Sequence, residues 1–335
     1  MPEYTGDQAD AVHSLQGEWA QRAFVELNES PEVAVEALHE LKLRIADDLD
    51  LHACTDDAFL LRFLRARKFN TTKAFALIQR YYQMKLECPD LFRTPRPSEK
   101  THVLEMQAQC VLDDRDHNGS RVYIFRVGQI KSLTTLAAIK KTGGMAHPNT
   151  SSAVHGTGNS EKCDTSRITV EDVFSTNVLA LEHVVREPET QVAGITVIVD
   201  MTGFGLQQHA KFLSPYYARR TVDVIQETFP LRFKGFHVIN QPFYFDAVFA
   251  VLKPFLKEKI RQRIYLHGKD LNSLHSYVDA NILPAEYGGL QGELDNTRWR
   301  QQLLVLEEEF MEMETYGYKG QSEQPAKQTE EIDLL

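Results

Sequence analysis

Residues 229–268 read FPLRFKGFHVINQPFYFDAVFAVLKPFLKEKIRQRIYLHG, and this stretch decides the fold. It contains an apolar strand pattern at 235–240, a helical pattern at 243–261 that Pro254 interrupts, and a second strand pattern at 264–267. A strand, a helix and a strand in this order are typical of a parallel βαβ unit. The stretch therefore predicts an α/β fold in which helices cover a largely parallel sheet.

The same alternation continues on the N-terminal side of this stretch. Residues 195–200 read ITVIVD, a typical buried strand, and helices are predicted at 170–186 and at about 214–228. Residues 111–127 predict two strands joined by a polar turn, whose DRDHNG sequence begins like a calcium-binding loop. Because Phe125 stands where such a loop needs a glutamate, we interpret the segment as a hairpin turn.

Periodicity and composition divide the chain into five parts. Apolar residues recur at helical spacing in 31–50, in 55–67 and from residue 71 onward. Residues 138–168 are rich in Gly, Ser, Thr and Asn, which predicts a flexible insertion. We expect an acidic segment at 1–30, a small all-helical domain at 31–95, an α/β domain at 100–290, a C-terminal helix at 291–316 and a disordered acidic tail at 317–335.

The net charge of −10 conceals a basic body. Residues 1–50 hold 12 acidic and 3 basic side chains, and residues 307–335 hold 9 acidic and 2 basic ones. Subtracting both from the totals of 47 and 37 leaves 26 acidic and 32 basic side chains between the ends, a net charge of +6. Such a body is attracted to anionic lipid or to nucleic acid.

Motifs of catalysis and of nucleotide or metal binding are incomplete. Gly156-x-Gly158 and Gly203-x-Gly205 are only fragments of a dinucleotide signature, and no GxSxG or HExxH motif occurs. Asp200 ends a predicted strand without an identifiable partner, so we interpret it as a turn or cap residue. The four cysteines are far apart, and we expect reduced structural thiols. We predict no enzyme, no catalytic residue, no cofactor and no metal.

Aromatic side chains crowd the stretch that decides the fold. Eight Phe and Tyr residues fall between Phe229 and Phe255. Ordinary core packing and an apolar cavity for a lipid tail or an isoprenoid account for them equally well, so both interpretations stay open at this point.

A nearly apolar segment, FYFDAVFAVL at 243–252, is followed directly by a basic run. The run contains Lys253, Lys257, Lys259, Arg261 and Arg263. An apolar helix beside basic residues is typical of an interfacial membrane contact, whereas the rival, nucleic-acid binding, lacks any motif. No apolar run is long enough to span a bilayer and the N-terminus is not a signal peptide, so we expect a cytoplasmic protein with peripheral membrane contact.

Three motifs resemble the CRAL-TRIO lipid-binding family. They are TDDAFLLRFLRARKFN at 55–70, the stretch 229–268 itself, and ILPAEYGG at 282–289. Within the family the chain is similar to clavesins, alpha-tocopherol transfer protein and cellular retinaldehyde-binding protein. The resemblance implies a helical N-terminal domain, then an α/β domain whose lipid cavity is gated by a mobile helix, here at about 243–256.

The resemblance also implies functional residues, none of them catalytic. The family's ligand-lining positions fall on Phe174, Asn177, Leu181, Ile195, Val199, Val224, Ile225, Phe229, Phe233, Phe236, Phe245 and Phe249. Its phosphoinositide-binding positions fall on Arg67, Arg232, Lys234, Lys259, Arg261 and Arg263. The implied function is a carrier that binds a tocopherol-, retinoid- or phospholipid-like ligand and docks on phosphoinositide-containing membranes.

The end of the chain leaves a second function open. Residues 330–335, EEIDLL, resemble an acidic dileucine or clathrin-box signal, although a solvated tail is the simpler interpretation. Clavesins are associated with clathrin-coated and endosomal membranes. The alternative is therefore a phosphoinositide-sensing adaptor at endosomal or trans-Golgi membranes, with clathrin adaptors as partners and no nucleic-acid partner.

Overall fold

The computed structural model describes residues 15–93, 95–129, 133–134, 168–205 and 214–319. The predicted insertion at 138–168, except for its last residue, and the motif at 330–335 lie outside the described residues. The helices are α1 Gly17–Leu27, α2 Pro31–Asp47, α3 Asp57–Ala66, α4 Thr71–Glu87, α5 Pro89–Phe92, α6 Thr101–Leu104, α7 Val170–Val184, α8 Pro188–Ala193, α9 Pro215–Asp223, α10 Phe245–Leu252, α11 Glu258–Arg261, α12 Leu271–His275, α13 Thr297–Val305 and α14 Glu307–Met313.

Strands form one central sheet and two small strand pairs. The strands are β1 Leu51–His52, β2 Gln109–Arg115, β3 Arg121–Arg126, β4 Leu133–Thr134, β5 Ile168–Thr169, β6 Ile195–Asp200, β7 Phe233–Ile239, β8 Ile264–Gly268 and β9 Gly317–Tyr318. The central sheet has the order β2-β3-β6-β7-β8, in which β2 is antiparallel to β3 and the other pairs are parallel. The predicted α/β class with a largely parallel sheet is confirmed.

Short polar side chains cap the N-termini of several helices. Ser30 accepts a hydrogen bond from the Val33 amide before α2, and Asn70 accepts one from the Lys73 amide before α4. Thr169 and Asp172 form a reciprocal capping box at the start of α7. These side chains satisfy amides that a helix leaves free at its N-terminus.

Asp116 organises the turn between β2 and β3. Its Oδ1 accepts hydrogen bonds from the amides of Asn118 and Ser120, at 2.9 and 2.8 Å, and its Oδ2 accepts one from Thr196 at 2.8 Å. The hairpin turn that we predicted in place of a calcium-binding loop is confirmed.

Two predicted helical segments are divided in the structure. The interruption that we predicted at Pro254 is confirmed, because the segment 243–261 consists of α10, a 3-10 turn at Lys253–Phe255 and α11, and Pro254 has no amide hydrogen to continue the helical ladder. The helix predicted at 291–316 divides at Leu306 into α13 and α14.

The ends of the described chain contain structure that the sequence did not indicate. Helix α1 lies within the acidic segment predicted at 1–30. The disordered tail predicted from residue 317 is wrong for β9, which pairs antiparallel with β1. Met313, Tyr316 and Tyr318 also pack against the core of α2, α3 and α4, so the C-terminal segment completes the helical domain.

Buried polar contacts join the helical domain to the α/β domain. Arg65 is only 1% exposed and lies 2.6 Å from Glu29, while its second terminal nitrogen donates to Gln191 on α8 at 2.6 Å. Tyr81 donates to Glu182 on α7 at 2.5 Å, and both side chains are buried. These contacts hold α3 and α4 against the helices beside the sheet.

Candidate functional site

One face of the sheet and its covering helices share a continuous apolar layer. Seven predicted ligand positions are buried in one cluster of this layer, namely Phe174, Leu181, Ile195, Val224, Phe229, Phe233 and Phe236. Val199, Ile225 and Phe249 are half-buried against the same cluster. Phe245 lies in a neighbouring cluster with Met201 and Val238, and both clusters share Phe125, Val199, Phe249 and Ile264. We call the two joined clusters the apolar layer.

Strand periodicity explains which side chains face the layer. Val197 and Val199 of β6 lie in it, whereas Ile198 belongs to the core on the opposite face. The same alternation places Tyr123 and Phe125 of β3 in the layer, two residues that we did not predict as site residues. The pattern of the predicted strand at 121–127 was the signal that could have identified them.

Asn177 supplies a polar group within the layer. Its Oδ1 accepts hydrogen bonds from Tyr123 and from Gln109 Nε2, the latter at 3.0 Å. Gln109 is fully buried, and its Oε1 has no hydrogen-bond partner among the described residues. Burial raises the pKa of Tyr123 well above its usual value, so this hydroxyl stays a donor. The group can therefore orient a ligand that carries a hydroxyl.

Helix α10 covers one end of the layer. Phe245 and Leu252 face the layer together with Phe249, at the spacing of one helical face. Phe243, immediately before the helix, is 97% exposed, and Ala247 and Ala250 are exposed as well. The exposed side of this segment thus carries apolar side chains as well as the charged Asp246, and an aqueous surface alone does not favour an exposed phenylalanine.

A few polar contacts hold the C-terminal end of this cover. Gln226, in the π-helical turn Val224–Thr228, donates to the Phe255 carbonyl at 3.1 Å and accepts from the Lys257 amide at 2.6 Å. Lys257 also forms an ion pair with Glu227. These contacts are exposed, and they lie between α10 and the basic helix α11.

Five of the six predicted phosphoinositide positions lie close together. The pKa of Lys259 is lowered by burial and then by the positive charges of Arg263, Arg232, Lys68 and Arg67. Burial first and Arg232 next lower the pKa of Lys234 to about 8. We call Arg67, Lys68, Arg232, Lys234, Lys259 and Arg263 the basic cluster.

Lys68 is a member of the basic cluster that we did not predict. It follows α3 in a left-handed backbone conformation, with a φ of 51°, and its side chain is exposed. Its position next to Arg67 in the sequence was the available signal. Arg261, which we did predict, instead forms an ion pair with Glu258 within α11.

Backbone carbonyls hold two arginines of the cluster in place. Arg232 donates to the Val192 carbonyl, and Arg263 donates to the Phe233 carbonyl. Val192 lies in α8, and Phe233 is the first residue of β7. The cluster is therefore largely preformed, which favours binding of an anion without further ordering.

A separate cavity of about 520 Å³ opens beside the end of the cover. It is lined by Arg80, Glu87, Pro215, Tyr216, Arg219, Arg220 and Phe255. Arg80 and Arg220 each lie within 3.2 to 3.8 Å of Glu87 and Asp223, so their charges are compensated. None of the twelve predicted ligand positions lines this cavity.

The sequence of both domains matches one family. Residues 105–289 match the CRAL/TRIO domain, and residues 37–80 match the CRAL/TRIO N-terminal domain. The chain belongs to the CRAL/TRIO family. The predicted resemblance is confirmed, and proteins of this family bind and transfer lipids.

Known CRAL/TRIO relatives are similar over most of their length. The chain is 34% identical to alpha-tocopherol transfer protein-like of Mus musculus over 306 residues, which is 91% of this chain and 79% of that protein. It is 33% identical to Clavesin-2 of Homo sapiens over 319 residues, which is 94% of this chain and 86% of that protein. The solved crystal structure of Sfh5 shows a TM-score of 0.47 at 14% identity, over 89% of this chain and 99% of that one.

Asp200 has a structural role in the CRAL/TRIO domain. Its Oδ1 accepts hydrogen bonds from the Thr202 amide at 2.9 Å and from Asn240 at 3.0 Å, and its Oδ2 accepts one from Tyr287 at 3.3 Å. The carboxylate therefore connects the turns that follow β6 and β7, as predicted for a turn residue.

No helix within the described ranges is long and apolar enough to cross a bilayer.

The opposite face of the CRAL/TRIO sheet carries a histidine pair. His237 Nδ1 lies 3.0 Å from His267 Nε2, and the His237 ring stacks on Tyr265 with a centroid distance of 4.9 Å. Tyr277 also contacts the His237 ring. Burial, and then the charge of His267, lowers the pKa of His237 to about 4. The His237 ring is therefore neutral at physiological pH and serves packing.

Proposed function

We propose that this protein carries one hydrophobic ligand in the apolar layer and exchanges it at phosphoinositide-containing membranes. The observation that carries the proposal is the order of three features along the chain. The cover α10, the residues Phe255 and Lys257 that Gln226 contacts, and the basic helix α11 follow one another within residues 245–261. A membrane bound by the basic cluster thus lies beside the element that covers the layer.

Headgroup binding would open the cover only under one thermodynamic condition. The headgroup must bind the open state better than the closed one. Phe243 supports membrane contact at this point, because it is 97% exposed and would bury apolar surface in a membrane. Breaking the exposed Gln226 and Lys257 contacts removes only a few hydrogen bonds.

Relatives support a lipid as the ligand. One is named as a tocopherol transfer protein-like protein, so tocopherol is the first ligand to test, before retinoids and phospholipids. The group formed by Tyr123, Gln109 and Asn177 would receive the ligand's hydroxyl. Extraction of the purified protein followed by mass spectrometry would identify the bound molecule, and a protein free of hydrophobic ligand would contradict the carrier proposal.

Transfer between vesicles tests the membrane step. We expect wild-type transfer to accelerate when acceptor vesicles contain phosphoinositide. Lys68→Ala combined with Lys259→Ala should weaken docking about thirtyfold, since each lysine contributes ~1 kcal/mol near anionic lipid. Both side chains are exposed, so the fold should be unaffected.

Lys269→Ala is the matched control for this test. Lys269 is equally exposed but follows β8 at the end of the strand opposite to Arg263. Its loss removes the same charge away from the basic cluster and should leave transfer unchanged. Equal transfer by wild type and the Lys68/Lys259 double variant would contradict docking through this cluster.

The adaptor is the second candidate, and it rests on the motif at 330–335. The similarity to Clavesin-2 supports testing the adaptor role. That role includes placement at endosomal or trans-Golgi membranes and recruitment of clathrin adaptors. Deleting these six residues should displace the protein from such membranes while leaving ligand transfer intact. Unchanged localisation of the deletion variant would speak against the adaptor.

A further inference from the structure

An acidic side chain, Glu26 of helix α1, lies against the basic cluster. Its Oε2 lies 2.9 Å from Arg232 Nη2 and 3.8 Å from Lys234 Nζ. Its Oε1 accepts a hydrogen bond from Arg22 Nε at 2.6 Å. One carboxylate is thus shared by two members of the cluster and by one arginine outside it.

Packing of α1 fixes this carboxylate in place. Ala23 and Leu27, on the same helix, are fully buried against Val192 of α8. Arg22 is itself anchored, because its Nη1 donates to the Asn118 carbonyl at 2.6 Å. Glu26 therefore occupies the cluster as part of a docked helix, in contrast to a freely moving surface side chain.

An anion that binds the basic cluster is repelled by the negative charge of Glu26. A phosphate on Arg232 or Lys234 would lie roughly 6 to 7 Å from the Glu26 carboxylate, since both would contact the same cation from different sides. Glu26 can release Arg232 and Lys234 to an anion and still keep an ion pair, because Arg22 lies one helical turn away and stays bound to it. The carboxylate thus competes for the two cations but does not become unpaired when it is displaced.

We propose that Glu26 is an internal counter-ion that competes with anionic lipid headgroups for Arg232 and Lys234. It thereby sets how much negative charge a membrane must present before the protein docks. This inference rests on the docking of the basic cluster proposed above. It adds a regulatory role for α1, which lies outside both matched family domains.

A positioning role for Glu26 predicts the opposite result. If the carboxylate served to orient Arg232 for a phosphate, its removal would weaken binding. Arg232 already has a second anchor in the Val192 carbonyl, so it keeps its orientation without Glu26. The direction of the change therefore decides between competition and positioning.

Glu26→Gln is the variant that tests the inference. The amide oxygen still accepts a hydrogen bond from Arg232, but the negative charge is gone. Binding of the full-length protein is measured on phosphatidylcholine vesicles that contain a phosphoinositide, and on matched vesicles in which phosphatidylserine supplies the same charge. We expect the variant to bind phosphoinositide vesicles about threefold to tenfold more tightly than wild type. The gain should shrink as salt is added, because the competing charge is partly exposed.

Glu18→Gln is the control on the same helix. Glu18 is exposed two turns earlier, so its replacement changes the net charge equally without touching the cluster. Weaker or equal binding by Glu26→Gln, or the same gain with Glu18→Gln, would overturn the inference while docking itself stands. Binding only by Glu26→Gln would support it most strongly. If neither wild type nor Glu26→Gln bound any anionic vesicle, the docking proposal would fall as well.

A second variant accompanies these measurements. Glu26→Ala also removes the charge, and it should show the same gain in affinity as Glu26→Gln. A gain confined to phosphoinositide vesicles identifies a specific headgroup as the competitor. A gain on both vesicle types identifies membrane charge in general, and either pattern supports competition.

Discussion

The free energy of unfolding should fall less on acidification when His237 is replaced with phenylalanine. His237 is 3% exposed, stacks on Tyr265 and contacts the ring of Tyr277. Burial, with a smaller effect of His267, lowers the pKa of His237 from 6.5 to about 4. A phenylalanine keeps an aromatic ring in this stack but cannot bind a proton.

The magnitude follows from the two pKa values. Between about pH 4 and pH 6.5 the unfolded chain binds a proton that the native state does not, so the free energy of unfolding falls as the pH falls. The full contribution is present above the unfolded pKa. From about pH 7.5 to pH 5 the single group lowers the free energy of unfolding by about 2 kcal/mol.

Urea unfolding at these two pH values provides the assay. The wild type should lose about 2 kcal/mol more than His237→Phe on going to the lower pH. His39→Gln, which replaces an exposed histidine of α2, should lose as much as the wild type. An equal loss for wild type and His237→Phe would refute the argument, whatever the absolute stability of the variant.

Three further predictions concern other parts of the structure. Arg65→Ala leaves the buried Glu29 carboxylate without its partner and should lower the free energy of unfolding by about 3–5 kcal/mol in chemical denaturation. Tyr81→Phe removes the buried hydrogen bond to Glu182 and should cost about 1–3 kcal/mol in the same assay. Phe243→Ser should change stability by no more than about 0.5 kcal/mol, yet slow vesicle transfer roughly tenfold, because an exposed side chain that would enter the membrane is lost.

Local patterns predicted the central sheet well, because a buried parallel strand carries its signal within a few residues. The strand ITVIVD has the predicted bounds Ile195–Asp200, and β7 begins two residues before its predicted start. The strand pair β1–β9 could not be predicted in this way. Each strand has only two residues, so neither shows a period, and the pairing depends on where α13 and α14 lead the chain.

The basic cluster could be predicted only in part, for a similar reason. Lys259 and Arg263 stand in a visibly basic run, whereas Lys68 joins them through the left-handed turn after α3. Glu26 was invisible as a member because its approach to Arg232 depends on the docking of α1 against α8. Charge patterns show which residues can bind an anion, and tertiary packing decides which of them meet.

Strand pairing between β1 and β9 has a consequence for biosynthesis. Residue 52 pairs with residue 317, and Tyr318 packs on the same core as α2 and α4. A nascent chain emerging from the ribosome therefore carries an unfinished helical domain until after the whole α/β domain has been made. Domains usually fold in the order of synthesis, but here the first domain to appear is among the last to be completed. Arrest of translation before residue 317 should leave that domain exposed to chaperones.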